Sequence, residues 1–380
     1  MSVTPTVGHF RAYYLQRSET FIYRYLTHLT RVRPVVFAQE VMHLDEFPVP
    51  ALETYPPPRW SPPGLWDRLG RRLGREPFLD SRLRHHRAIV IHAHFGPQGH
   101  ALLPLRRQTG LPMVTSFYGY DLSMLPRDPA WRARYADLFV GGDVFLVEGR
   151  GMGERLAALG CPPEKIRLQR IAIDLDLIPF RERRGHHGPV RVLFCGRFSE
   201  KKGLLDALRA AAAVRDRGVD LLFRIVGDGE LREEVEGTVR ELRLEPMVHR
   251  LGMRPYSEVL RELEVADFLI QPSRTAADGD TEGGAPTILL EAQAAGLPVL
   301  STRHADIPEV VEEGKSAWLV PEGNWEMLAD RMTTLCREPE RWAEMGRAGR
   351  RHVAEAHNIQ SEARRLEEIY FGLAGIRGSG

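Results

Sequence analysis

One pattern constrains this chain more than any other: an alternation of short apolar runs with longer amphipathic stretches, played through twice. The only break falls at Phe180–Pro189, where FRERRGHHGP is charged, carries two glycines and is nearly free of apolar side chains. Strand-length apolar runs separated by helical stretches call for crossover connections, so the pattern predicts parallel sheets covered by helices. Before the break, strands are expected at Arg33–Ala38, Ala88–His92, Pro112–Ser116 and Val144–Val147, with helical sequence such as Gly99–Gln108 between them. After it they are expected at Val190–Phe194, Leu221–Val226, His249–Leu251, Phe268–Ile270, Val299–Ser301 and Ala317–Val320, with helices from Leu204 and over Thr287–Ala295. Ile359–Phe371 is an amphipathic helix that can pack back across the first unit. The expected domains are therefore 1–182 and 183–357, with 358–380 crossing back.

Two stretches interrupt the first half. Phe47–Pro63 holds seven prolines in seventeen residues and reads as an irregular loop. Leu65–Arg87 is basic; Leu65, Trp66, Leu69 and Leu73 recur at helical spacing, and Pro77 should end or kink that helix.

Charge and cysteine content exclude several classes. Lys and Arg number 52 against 51 Asp and Glu, a net charge of +1, which argues against a nucleic-acid specialist. The charge is unevenly spread: residues 1–180 carry 23 basic and 17 acidic side chains, the rest 29 and 34. Much of the basic excess lies in Leu65–Arg87, beside Trp60 and Trp66, which reads either as a solvated helical face or as a surface that leans on an anionic membrane. Cys161, Cys195 and Cys336 have neither zinc nor disulfide spacing, which suits a reducing cytoplasm. The N-terminus lacks a signal-peptide pattern, and no run of about 18 apolar residues is long enough to span a bilayer.

Several strand ends carry candidate chemistry. Gly196-Arg197-Phe198-Ser199-Glu200-Lys201-Lys202-Gly203 joins a strand to a helix, where free N–H groups, the Arg197 fork and the Lys202 charge suit an anion; a solvated basic turn fits equally. Val226-Gly227-Asp228-Gly229 closes the next strand and reads first as a tight turn. In DGDTEGGAPTILLEAQAAGLP, from Asp278 to Pro298, Glu282 precedes two glycines, and Glu291 lies inside a patch of small and apolar neighbours where a carboxylate needs a partner. Two carboxylates at that spacing suit the hydroxyls of a polyol. Asp278-Gly279-Asp280 has the form of a Mg²⁺ or Mn²⁺ motif but is equally a polar loop. His92 and His94 share one face of a strand, with His94 at the carboxyl edge where α/β proteins place ligands; no third zinc ligand is evident. Thr115 to Asp121 ends the next strand with hydroxyl, glycine and acid, and Arg17-Ser18-Glu19-Thr20 has the shape of a capped helix entry.

Together these segments resemble glycosyltransferase family 4, and most closely its exopolysaccharide, capsule and antigen members. The resemblance is carried by Ser18-Glu19-Thr20-Phe21-Ile22, His94-Phe95-Gly96, Phe117-Tyr118-Gly119-Tyr120-Asp121, Gly196-Arg197-Phe198 with Lys202-Gly203, Val226-Gly227-Asp228-Gly229, and Glu282-Gly283 through Glu291-Ala292. Gly296-Leu297-Pro298-Val299 and Ile307-Pro308-Glu309 follow in the expected order. The resemblance implies a GT-B fold, two Rossmann-like domains facing a central cleft, and retaining transfer from a UDP- or GDP-sugar to a hydroxyl of a glycan or lipid-linked acceptor. It implies no metal or other cofactor. By the same resemblance, Gly196, Arg197, Lys202, Gly227, Gly283, Gly284 and Glu291 hold the donor, Arg197 and Lys202 its diphosphate and Glu291 its ribose. Glu282 contacts the transferred sugar. Glu19, His94, Tyr118 and Asp121 fall on the acceptor side, with Tyr118 and His94 near the reacting sugar. Two departures stand out. Eight residues separate Glu282 from Glu291 where the family has seven, and Tyr118 stands where the family usually carries histidine. A nucleotide-sugar epimerase on the same fold and a non-catalytic nucleotide-sugar-binding subunit are the rival readings; the missing GxGxxG disfavours a dinucleotide oxidoreductase.

Overall fold

A computed structural model describes residues 4–16 and 19–376; Arg17 and Ser18 of the expected helix entry lie outside the described residues. The chain divides into two units, Met1–Ala172 with Ile359–Gly380, and Ile173–Asn358. Both are Rossmann-like parallel sheets flanked by helices.

The first unit contains β1 (Thr6–Tyr14), β2 (Arg33–Val41), β3 (Leu52–Thr54), β4 (Ala88–His94), β5 (Met113–Ser116), β6 (Val144–Val147) and β7 (Ile166–Leu168). Their order across the sheet is β3-β2-β1-β4-β5-β6-β7, every pair parallel. The chain winds outward from β1 to β3, returns to lay β4 against the other side of β1, and winds outward again. Such a reversal leaves a crevice at the carboxyl ends of the two inner strands. One face of the sheet packs Phe10, Phe37, Leu83, Phe117 and Phe145 into a core. The other packs Val7, Val90 and Val114 against Leu366, Tyr370 and Phe371 of helix Ile359–Ala374. That helix is fastened at its rim as well: the Glu367 carboxylate accepts from the Thr30 and Arg31 N–H groups at 2.7 and 2.6 Å.

Three elements differ from the sequence reading. β1 has no apolar run, since TVGHFRAYY mixes His, Arg and Tyr into the strand; pairing on both sides buries it nonetheless. The proline-rich loop contains the short edge strand β3, where neighbouring prolines cost no ladder bond. Pro77 does not merely end a helix but opens a new one, Pro77–His85, at the position where its missing N–H is harmless.

The second unit contains β8 (Val190–Cys195), β9 (Leu221–Val226), β10 (Val248–Gly252), β11 (Phe268–Gln271), β12 (Val299–Thr302) and β13 (Ala317–Val320), in the order β10-β9-β8-β11-β12-β13. Here the reversal falls between β8 and β11. Phe194, Phe223 and Phe268 fill the core under helix Leu204–Asp216, whose Ala207, Ala210 and Ala211 let it lie close to the sheet. The charged segment Phe180–Pro189 is not a free tether. The Arg181 N–H donates to the Ala295 carbonyl at 3.1 Å and the buried Arg183 guanidinium to the Leu263 carbonyl at 2.6 Å, so this stretch is already part of the second unit. Among the described residues no helix is long and apolar enough to cross a membrane.

Candidate active site

In the second unit the candidate residues gather at the β8–β11 reversal. Past the end of β8, Gly196 donates to the Val226 carbonyl at 3.0 Å, and Phe198 to the Asp228 carbonyl at 2.9 Å. The two loops thus lie backbone against backbone, which explains Gly227: its φ is +136°, and a Cβ there would stand 1.9 Å from the Gly196 carbonyl oxygen. Gly203 is required for the same reason, a Cβ standing 1.9 Å from the Pro272 oxygen at φ +67°. Arg197 is exposed, and its side chain makes no hydrogen bond or ion pair among the described residues.

Lys202 is held. Its Nζ lies 2.7 Å from Glu282 Oε2, and the Ser273 hydroxyl donates to Glu282 Oε1 at 2.6 Å. The Glu282 side chain is only 6% exposed. Burial pushes its carboxyl upward, but the Lys202 charge and the bonds from Lys202 and Ser273 more than offset this and hold it below the usual carboxylate range. The Glu282 N–H donates to His304 Nε2 at 3.1 Å, so the His304 proton sits on Nδ1, which meets Glu322 at 2.7 Å. In the turn after Glu282, Gly283 takes φ +78°. Pro286 is the N-cap of helix Thr287–Ala295, one residue ahead of its first turn. Glu291, on this helix, is 5% exposed, not a surface residue. Burial pushes the Cys195 thiol up to about 12, with the Glu291 carboxylate adding to the effect, which brings Glu291 near the end of β8. Asp280 pairs with Lys201 at 2.8 Å and Asp278 accepts the Asp280 N–H, the arrangement of a polar loop.

In the first unit the candidates gather at the β1–β4 reversal. His94 Nδ1 lies 2.6 Å from the Tyr118 hydroxyl and its Nε2 3.2 Å from His9 Nδ1. His92 is locked between the Tyr370 hydroxyl at 2.5 Å and the Ser116 hydroxyl at 2.8 Å. His9, His92, His94, Ser116 and Tyr118 line a cavity of about 450 Å³, counting its open mouth, together with Phe21, Tyr25, Glu148 and Arg170. Two expected acceptor residues have other work here. Asp121 is 1% exposed, and its carboxylate accepts the Gly96, Tyr118 and Gly119 N–H groups, each at 3.0 Å; it braces two strand ends instead of facing a ligand. Glu19 does not cap its helix: it takes Arg11 in a two-pronged ion pair at 2.6 and 3.1 Å, and Arg11 lies over the Phe95 ring at 4.2 Å. Phe95 itself holds a strained φ of +74° beside His94.

Two family models divide the chain between them. "Glycosyltransferase Family 4" matches residues 18–177 and "Glycosyl transferases group 1" residues 179–352. Amylovoran biosynthesis glycosyltransferase AmsK of Erwinia amylovora is 35% identical over 289 residues, 76% of this chain and 71% of that protein. The chain is a family 4 glycosyltransferase. A GDP-mannose-dependent alpha-(1-6)-phosphatidylinositol monomannoside mannosyltransferase of Mycolicibacterium smegmatis is 30% identical over 288 residues, 72% of this chain and 74% of that one. The fold is that of Anabaena HepE solved with UDP, at TM-score 0.79 and 15% identity, covering 97% of this glycosyltransferase and 100% of HepE.

The candidate site has members that sequence patterning does not single out. Ser273, His304 and Glu322 hold Glu282 directly or through its backbone, and they come from the ends of β11, β12 and β13. Their position just past apolar strand runs is the signal that could have found them. His9 had no such signal, because β1 is not announced by apolar sequence.

Proposed function

We propose that this glycosyltransferase moves a sugar, with retention and without a metal, from a UDP- or GDP-sugar to a hydroxyl of a glycan or lipid-linked acceptor in exopolysaccharide assembly. The observation that carries the reading is the β8–β11 reversal: an unpaired, exposed Arg197 beside a buried Lys202–Glu282 pair. A diphosphate offers Arg197 the anion it lacks and competes with Glu282 for Lys202. Glu291 then binds ribose hydroxyls and Glu282 the transferred sugar, with the Gly283 and Gly284 backbone toward phosphate. The leaving diphosphate oxygen takes the proton of the attacking hydroxyl as the new glycosidic bond forms on the face that the diphosphate leaves. The protein contributes position and charge stabilisation of the departing group. The first unit takes the acceptor, with His94 and Tyr118 at its strand ends. The amylovoran relative and the GDP-mannose-dependent relative support this substrate class.

The test is binding and turnover together. A UDP or GDP compound should stabilise the protein by about 2.7 kcal/mol at a hundredfold excess over Kd. Arg197→Ala should lower turnover by about 10²–10³-fold with no change in melting temperature, since the side chain supports no packing. Normal turnover in Arg197→Ala would sink the assignment; donor consumed without acceptor would indicate an epimerase, and binding without any turnover a silent subunit.

The reading extends to a cytoplasmic membrane surface. Helix Pro62–Arg72 buries Gly64 and Asp67 and turns Leu65, Trp66 and Leu69 outward, with Leu73 and Trp60 (76% exposed) beside them. Arg68 and Arg59 lie over the Trp60 ring at 5.1 and 5.2 Å. An apolar face rimmed by arginines suits an anionic bilayer, where a lipid-linked acceptor resides. Co-sedimentation with anionic liposomes should weaken on Trp60→Ala/Trp66→Ala; no dependence on anionic lipid would remove this part of the proposal.

A further inference from the structure

We propose that His9, His92 and His94 form a site for one divalent transition-metal ion of the zinc class, set into the β1–β4 reversal of the first unit. The placement follows from topology. β1 and β4 run parallel with His9 opposite His92, and the two-residue strand period puts His94 on the same face. One ring nitrogen from each histidine lies within 4.8 Å of the others. His9 Nδ1 and His94 Nε2 are 3.2 Å apart. Two nitrogens on one tetrahedral zinc, each bonded at about 2.05 Å, stand about 3.3 Å apart.

The surrounding hydrogen bonds already orient the rings as ligands. The Nδ1 atoms of His94 and His92 are engaged by the Tyr118 and Tyr370 hydroxyls, which turns the two Nε2 atoms toward the cluster. Liganding through His92 Nε2 releases the Ser116 hydroxyl from its 2.8 Å bond. His9 supplies the independent observation: it is 1% exposed, and its Nε2 has no hydrogen-bond partner. With the proton on Nδ1, the buried Nε2 lone pair is left without a donor. With the proton on Nε2, that N–H is left without an acceptor. Either tautomer leaves the buried His9 ring with an unmet polar atom.

An all-imidazole donor set favours Zn²⁺, Co²⁺, Ni²⁺ or Cu²⁺ over Mg²⁺ and Ca²⁺, which want oxygen. Glu148 and Arg170 both lie on the wall of the same cavity, so their charges offset each other there. The ion would tie β1 to β4 and, through His94, fix Tyr118. It is a structural centre in the first unit and takes no part in holding the donor diphosphate.

The test uses the full chain, stripped with chelator and titrated with Co²⁺. One equivalent should bind with the intense visible absorption of low-coordinate cobalt, be displaced by Zn²⁺, and raise the melting temperature. His9→Gln should weaken binding by more than about 100-fold, beyond the 10–100-fold typical of an outer-shell change. His94→Gln should do the same and replaces it if His9→Gln fails to fold. Wild-type protein that shows only the weak spectrum of octahedral cobalt overturns the proposal, whatever the variants do. Equal binding in a folded His9→Gln also overturns it by placing the ion on other histidines. No donor or acceptor enters the assay, so its failure leaves the transferase reading untouched.

Discussion

The two units share a topology and differ in the chemistry at its most useful point. Each is a parallel sheet that reverses beside its first strand, between β1 and β4 in one and between β8 and β11 in the other. At the second reversal the side chains are charged: Arg197 is unpaired, and Lys202 and Glu282 neutralise each other. At the first they are His9, His92 and His94, neutral because they are buried. Overall charge runs the other way. The first unit holds 26 basic and 18 acidic residues, the second 26 and 33. The more acidic unit therefore carries the cationic loop, so the anion site proposed there would be the work of a few strand-end residues and not of bulk charge. Topology decides where a site lies; the residues at two strand ends decide what it binds.

The sharpest way to break this contrast is Lys202→Met. It leaves Glu282 ionised and buried without its cation, a loss of about 3–5 kcal/mol in denaturant melts, and it removes a cation proposed to hold the diphosphate as well. Lys202→Met/Glu282→Gln should recover most of the stability and none of the turnover. A single variant that costs under about 1 kcal/mol would mean the pair behaves as a surface contact.

Acid separates the units next. In the unfolded chain the three histidines titrate near 6.5, whereas in the fold burial keeps His9 at about 3 and the other two well below 6.5. Below pH 6.5 the unfolded state thus binds more protons. Stability is complete above 6.5 and falls as pH drops toward 3, by up to about 1.4 kcal/mol per pH unit for each imidazole. Glu282 starts ionised where the histidines start neutral, and its window is lower: its carboxyl is held below 4.5, so its contribution is complete above that value and is lost only as pH falls further. Melts of metal-stripped protein from pH 8 to 5 should lose stability from about pH 6.5 downward. A flat profile would show that the cluster is wet and that the units do not differ in this way.

How much of this is legible in sequence depends on whether a residue announces itself locally. Leu221–Val226, Ala317–Val320 and helix Thr287–Ala295 have the bounds that their apolar patterns imply, because each is buried by its own side chains. β1 was not legible in this way, since its burial comes from neighbours paired on both sides. With β1 unseen, His9 could not be joined to His92 and His94 across some eighty residues of chain. Asp121 shows the reverse: sequence marks it as an acid at a strand end and cannot show the three backbone N–H groups that its carboxylate accepts.

Tyr118 is where the two units can be compared at smallest cost, because its hydroxyl and its ring can be separated by one substitution. Burial raises its phenol well above the ordinary value, so it is a neutral hydrogen-bonding group at working pH and not a base. Its hydroxyl meets His94 Nδ1 at 2.6 Å, and its ring packs against Phe21 and Phe95, centroids 4.8 Å away in both cases. Tyr118→Phe keeps those ring contacts and removes only the hydroxyl, leaving a buried imidazole nitrogen without its partner. The expected cost is about 1–3 kcal/mol of stability. If proton transfer in catalysis belongs to the leaving diphosphate, turnover should fall by less than about tenfold, with the loss in KM for acceptor more than in kcat. A kcat loss comparable to that of Arg197→Ala would make Tyr118 part of the chemistry, and the first unit's reversal would then be a catalytic surface instead of a neutral scaffold.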